Sequence, residues 1–313
     1  MKILVTDSTE LNFEVPEGVI VVPFDEELPI PAEHMDAEVV ICWGAYPSLV
    51  CLRDMPNLGW VQSLSAGTDA FSRAGLPEGT ILTSGRGLHD LTVTEHAVAL
   101  LLALVRQIPD LVHAQDEHRW AQEKRGPKPV FDPERLTTLI GARVLIWGFG
   151  SIGQAMAPVL EALGCQVRGV AHESGERAGY QVLAVRDIHQ ALPETDALVM
   201  VLPSQPDTDG ALSAEVLDLL PDRSVVCNVG RGSTIDEDAL IRALKERRIA
   251  GAALDVMPVE PLPADSPLWD APNCLLSPHI AGWRAYRAGE LINYNFRAYI
   301  AGTPLKNEVK HLC

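Results

Sequence analysis

ARVLIWGFGSIGQAMAPVLEALG (residues 142–164) changes its pattern halfway along. Its first part is a short continuous apolar run of strand length, and from Ser151 the apolar residues recur at helical spacing. Between the two lie Gly148, Gly150 and Gly153, spaced as G-x-G-x-x-G. The first glycine permits a tight turn, the second lets the backbone approach a pyrophosphate, and the third lets helix and strand pack closely. A strand, glycine loop and helix in this order make a dinucleotide site, with Ser151, Ile152 and Gly153 at the helix N-terminus facing the phosphates. The stretch therefore predicts an α/β fold with a parallel sheet.

Downstream the alternation continues. QVRGVA, ALVMVL, SVVCNV, AGAALDV and CLLSPH read as strands, separated by helical segments at 151–163, 213–219 and 236–247. Such alternation predicts a doubly wound parallel sheet. Upstream, KILVTD, VIVVPF, VVICW, WVQSL and ILTS predict a second α/β layer over residues 1 to about 90. A long helical stretch is expected from about Thr92 to Arg119, kinked or interrupted at Pro109, with an almost fully apolar first half suited to burial between domains. RGPKPVFDP reads as a non-helical connector, and the last helix, after Gly282, is expected to cross back onto the first domain.

A chain of 313 residues favours about two domains. The longest apolar run, AVALLLALV (97–105), is far short of a bilayer crossing. The N-terminus has no signal-peptide layout, so a cytoplasmic location is expected. Six cysteines (42, 51, 165, 227, 274 and 313) lack C-x-x-C spacing and read as buried reduced thiols, not as disulfides or metal ligands. The formal charge of −17 argues against a nucleic-acid partner, which needs a basic face, and obliges an anionic substrate to meet a few deliberately placed cations.

The adenosine ribose normally meets an acidic residue at the end of the strand after the glycine loop. Here that strand runs into Ala171-His172-Glu173-Ser174. Either Glu173 reaches the ribose hydroxyls, or His172, Ser174 and Arg177 surround a 2′-phosphate. The second reading favours NADP over NAD.

Four blocks, VQSLSAGTD (61–69), GFGSIG (148–153), NVGRGSTIDEDAL (228–240) and ALDVMPVEPLP with LLSPHIAG (253–282), resemble in order and spacing the D-isomer-specific 2-hydroxyacid dehydrogenases. The resemblance covers nearly the whole chain. It implies a Rossmann dinucleotide-binding domain (residues 93–282) inserted in a flavodoxin-like substrate domain (1–92 and 283–313), with a cleft that closes on hinges near residues 90 and 282. It further implies that Arg231 holds the substrate carboxylate and keto oxygen, that His279 is the catalytic acid–base, and that Glu260 is paired to it. Ala66 and Gly67 would offer amides to the carboxylate. Asp255 would lie near the nicotinamide carboxamide, Val93 at the nicotinamide, and Leu202-Pro203 on the adenine side. Val229, Gly230, Ala281 and Gly282 complete the implied cofactor contacts.

The chemistry stands without the analogy. Reducing a 2-keto acid by hydride needs a proton for the developing alkoxide and a cation for the carboxylate. A guanidinium takes a carboxylate in two parallel hydrogen bonds, which lysine does not. A carboxylate beside histidine favours its charged form and orients the ring. Protonated histidine serves reduction, and neutral histidine serves oxidation. Asp255 ends an apolar strand, where burying an unpaired carboxylate would be costly.

The expected activity is NAD(P)-dependent reduction of a small 2-keto acid such as glyoxylate, hydroxypyruvate or pyruvate. Phosphoglycerate dehydrogenase and a non-enzymatic, dinucleotide-sensing corepressor are the alternatives. Glu260 stands where formate dehydrogenases have glutamine, and LSAGTD lacks the lysine of phosphite dehydrogenases. The Glu95-His96 pair is read as structural, His89 and Arg86 as residues of the cleft mouth, and Trp43, Tyr46, Trp283 and Arg284 as shaping substrate preference. The family commonly forms homodimers through the region of Trp120.

Overall fold

The computed structural model describes residues 1–309, so Cys313 lies outside it. The chain divides into two compact units. The first comprises residues 1–89 and the chain from Gly282 on, and the second residues 90–281.

In the first unit, β1 (Lys2–Thr6), β2 (Ile20–Phe24), β3 (Val39–Cys42), β4 (Trp60–Ser63) and β5 (Ile81–Thr83) form a five-stranded sheet in the order β2-β1-β3-β4-β5. Every pairing is parallel, which is the flavodoxin-like order. The intervening helices α1 (Ser48–Cys51) and α2 (Asp69–Ala74) are short. One sheet face is covered largely by the C-terminal helix Ala288–Ala301, whose Ile292 and Phe296 pack with Ile3, Val39 and Trp60. The last helix thus returns to the first layer, as its lack of a following strand predicted.

The second unit opens with α3 (Asp90–Val105) and α4 (Ile108–Asp116). The long helical stretch is thus interrupted next to Pro109, with the break falling just before it. Gln107 adopts a left-handed conformation (φ 56°) that ends α3, and Pro109 sits in the first turn of α4, where a missing N–H costs nothing. The two helices meet at 69°. Among the described residues no single helix is long and apolar enough to cross a membrane.

The sheet that follows contains β6 (Arg143–Trp147), β7 (Gln166–Ala171), β8 (Gly175–Arg177), β9 (Tyr180–Ala184), β10 (Ala197–Met200), β11 (Val225–Asn228), β12 (Gly251–Leu254) and β13 (Cys274–Leu276). Its order is β13-β12-β11-β10-β6-β7-β9-β8. Taking β6 as the first strand and leaving out β8 gives the doubly wound Rossmann order, extended at one edge by β13. Helices α5 (Ser151–Ala162), α6 (Ala214–Leu219) and α7 (Glu237–Lys245) connect the strands. Ser213 and Asp236 cap the last two, accepting from Val216 N and Ala239 N. The antiparallel β8–β9 hairpin is absent from the expected strands: GER is too short and polar to show a period, whereas YQVLA, mostly apolar, is of ordinary strand length. It also ran the last strand through Ser277-Pro278-His279, which lie outside β13.

The strand starts are tied by Asp196, 5% exposed. It accepts from the backbone N and Nε of Arg143 (2.9 and 3.0 Å) and from Nη2 of Arg223 (2.6 Å). Burial pushes the Asp196 carboxyl up, but these hydrogen bonds outweigh it and hold it below the ordinary 3.8. Replacing Asp196 with alanine is expected to cost about 2–3 kcal/mol in urea unfolding at neutral pH. A carboxyl held low in the folded state stabilises above its unfolded value, so the gap between variant and wild type is expected to shrink as pH falls below 3.8.

Candidate active site

Strands β11, β12 and β13 are neighbours and parallel, so the residues after them gather at one sheet edge. After β11 come Val229, Gly230 and Arg231. Asn228 and Thr234 both donate to the Arg231 carbonyl (3.0 and 2.6 Å), and Asn228 Oδ1 accepts from Gly230 N at 3.0 Å. Gly232 next to it has no room for a side chain, since a Cβ would lie 1.9 Å from the Met257 carbonyl carbon. The guanidinium Nη1 donates to the Gly230 carbonyl at 2.9 Å.

His279 lies beyond β13 in a left-handed conformation (φ 53°). Its Nδ1 is 2.7 Å from Glu260 Oε2, and the other oxygen of Glu260 accepts from Met257 N at 2.9 Å. A carboxylate only accepts, so Nδ1 carries the hydrogen in this contact and Nε2 is the ring atom turned away from Glu260. Burial pushes the Glu260 carboxyl up, yet the His279 hydrogen bond, the Met257 N–H and the Arg231 charge together bring it below the ordinary value. The pair therefore keeps an ionised carboxylate behind the imidazole at neutral pH, within the field of Arg231.

Asp255 is fully buried. Its Oδ1 accepts from Ser277 Oγ (2.5 Å) and Ile280 N (3.0 Å), and its Oδ2 from Ala281 N (3.0 Å). The Asp255 carbonyl accepts from His279 N at 2.7 Å. Its carboxylate is thus committed to the segment that carries His279. Ser277 stood inside LLSPHIAG without drawing notice, since a serine before proline has an ordinary turn explanation. Of the Glu95-His96 pair, Glu95 is exposed, while His96 Nε2 lies 2.9 Å from Ser277 Oγ.

The glycine loop follows β6, where the strand order reverses between β6 and β10. Gly148 has φ +105°, and a Cβ there would lie 2.4 Å from the Val201 carbonyl oxygen. Gly150 faces open space, with nothing within 4 Å of a Cβ, and Gly153 would meet Gly148 O at 2.8 Å. These are a tight turn, a place for close approach and a helix–strand contact, so the residues present fit a dinucleotide. Ser151 Oγ donates to Asp90 Oδ1 at 3.0 Å. Val93, Val229 and Ala281 are buried in one apolar cluster with Ile146 and Phe149. Leu202 is buried and Pro203 exposed after β10. His172, Glu173 and Ser174 form an exposed turn after β7, and Arg177 Nη2 donates to the Glu173 carbonyl at 3.2 Å.

In the first unit, Ala66 is exposed and Gly67 half-buried after β4. Trp43 has its ring 5.7 Å from His89 and 5.4 Å from Trp283. His89 is buried, with Nε2 2.7 Å from the Leu64 carbonyl, and Arg86 is exposed. The loop 43–45 is held by Glu26, 3% exposed, whose carboxylate accepts from Trp43 N, Gly44 N and Ala45 N at 2.9, 2.9 and 3.2 Å. Nothing in the sequence distinguished Glu26 among 42 acidic residues.

Replacing Gly148 with alanine forces a side chain into a left-handed position against a carbonyl. The expected loss is about 2 kcal/mol or more in denaturant unfolding, with weaker dinucleotide binding.

A profile described as "D-isomer specific 2-hydroxyacid dehydrogenase, NAD binding domain" matches residues 98–281. A glycerate dehydrogenase of Methylorubrum extorquens is 30% identical over 81% of this chain and 79% of its own length. A glyoxylate/hydroxypyruvate reductase A of Salmonella newport is 31% identical over 80% of this chain and 79% of its own. Among solved structures, a D-isomer specific 2-hydroxyacid dehydrogenase of Xanthobacter autotrophicus Py2, in complex with NADPH and MES, superposes with a TM-score of 0.76. It is 28% identical and covers 98% of this chain and 97% of that one. The motifs, the sheet orders and these likenesses agree, and the chain belongs to the D-isomer specific 2-hydroxyacid dehydrogenases, oxidoreductases that act on the CH–OH group of 2-hydroxy acids with NAD or NADP.

Proposed function

We propose that the protein reduces a small 2-keto acid of the glyoxylate and hydroxypyruvate class, using NADPH in preference to NADH. The observation that carries this reading is the 2.7 Å Glu260–His279 pair in the field of Arg231, beside a glycine loop shaped for a dinucleotide. The curated relatives support the substrate class, being named glycerate dehydrogenase and glyoxylate/hydroxypyruvate reductase. NADPH bound to the Xanthobacter protein supports the cofactor preference. So does Arg177, which lies against the Glu173 carbonyl in the turn assigned to the 2′-phosphate with His172 and Ser174.

In this reading residues 93–282 form the dinucleotide domain, and 1–92 with 283–313 form the substrate domain. Arg231 takes the substrate carboxylate in a bidentate grip and polarises the keto oxygen. The amides of Ala66 and Gly67 are further donors to that carboxylate. A bound nicotinamide supplies the hydride. His279 Nε2 gives its proton to the oxygen on which negative charge develops, and Glu260 stabilises the imidazolium before that transfer and fixes the ring. In the oxidative direction the neutral ring takes the hydroxyl proton. The protein works in this reading as a cytoplasmic homodimer, with Trp120, 79% exposed, in the contact.

Mixing the protein with glyoxylate and NADPH is expected to consume NADPH absorbance. No turnover across a panel of short 2-keto acids would favour a dinucleotide sensor. His279→Ala is expected to retain NADPH binding, measured by quenching of tryptophan fluorescence, and to reduce turnover by about 100-fold or more. Arg231→Lys is expected chiefly to raise KM for the keto acid, and an unchanged KM and kcat would reject the carboxylate grip.

A further inference from the structure

We infer that His96, on α3, is a positioning residue that holds the catalytic histidine in place through Ser277 and Asp255. The inference rests on the reading of His279 as the proton donor.

His279 is in a left-handed conformation, uncommon for a residue with a Cβ and steadied by local support. That support is a cluster behind the segment 277–281. Asp255 draws the Ile280 and Ala281 amides onto its two oxygens, and Ser277 Oγ gives its hydrogen to the same carboxylate at 2.5 Å. His96 completes the cluster from α3. Its Nε2 lies 2.9 Å from Ser277 Oγ and 3.2 Å from Asp255 Oδ1.

The polarity of these contacts is decided by the donors available. The single proton of Ser277 is spent on Asp255, and Asp255 accepts only, so His96 must present Nε2–H to both. A buried carboxylate is tolerated only when its lone pairs are filled, and each donor lost raises the cost of the arrangement. α3 is itself fixed, because Ala97, Leu101 and Val105 are buried in the core with Val144, Val225 and Ala253. His96 therefore references the His279 segment to a rigid helix and not merely to its own strand. Glu95, its neighbour, is exposed and has no part in this.

The test compares His96→Ala with His96→Gln, whose side-chain amide restores an N–H donor. Two readouts are taken on the full-length protein. The first is kcat for keto-acid reduction beside the dissociation constant for NADPH. The second is hydrogen exchange of the Ile280 and Ala281 amides beside those of Ala252 to Leu254 in β12. His96→Ala is expected to lower kcat about tenfold with NADPH affinity within about twofold, because a small displacement of the acid is felt in the chemical step. The 280–281 amides are expected to exchange about tenfold faster, with β12 unchanged. His96→Gln is expected to recover most of both.

Unchanged kcat in His96→Ala with an active wild type overturns the inference. So does faster exchange spread equally over β12, which would mean a general loss of stability. An inactive wild type would reject the proposed function, and the exchange measurement would still decide whether His96 holds the segment. Unchanged exchange at 280–281 overturns that too.

Discussion

The arrangement depends on one buried charge. Asp255 sits at the end of β12 with no exposure, where an unpaired carboxylate would be costly enough to exclude. It persists because the chain supplies donors from two directions, the segment after β13 and the helix α3. The satisfaction of that carboxylate and the placement of His279 are the same event. Removing the charge would leave several donors unpaired, and leaving it unpaired would break the turn.

The Glu260–His279 pair is built differently. Both side chains are partly exposed, so their attraction is screened and contributes little to folding. Its value is chemical. Glu260 is pinned by Met257 N on one oxygen and offers the other to Nδ1, which fixes the tautomer and directs Nε2 away from the carboxylate. Arg231, held by Asn228 and Thr234 through its own carbonyl, adds positive potential in a chain of formal charge −17. A substrate anion approaching such a protein meets net repulsion except where cations are concentrated, and this favours few and well-placed guanidinium groups.

Much of this was legible beforehand, for identifiable reasons. The strand, glycine loop and helix at 142–164 could be read because local backbone requirements restrict residue type directly. Gly148 needs a left-handed φ, and Gly153 needs the absence of a Cβ. Arg231, Glu260 and His279 could be grouped because each stands in a distinctive block, and the fold sets Glu260 2.7 Å from His279 within the field of Arg231. The three-residue β8 could not be read, being short and polar. The interruption of the long helix was legible from Pro109, whereas the left-handed Gln107 just before it carries no sequence signal.

The sequence alone determined the α/β class, the doubly wound alternation and the glycine loop, because periodicity and glycine spacing are local properties. Tertiary structure alone decided that Asp255 turns its carboxylate onto the 277–281 segment, that Ser277 and His96 join it, and that Glu26 clasps the loop at Trp43. These partners are as much as 181 residues apart for His96 and Ser277. A hydrogen bond across that separation depends on which strand ends and helix faces the packing brings together, and no local pattern records it.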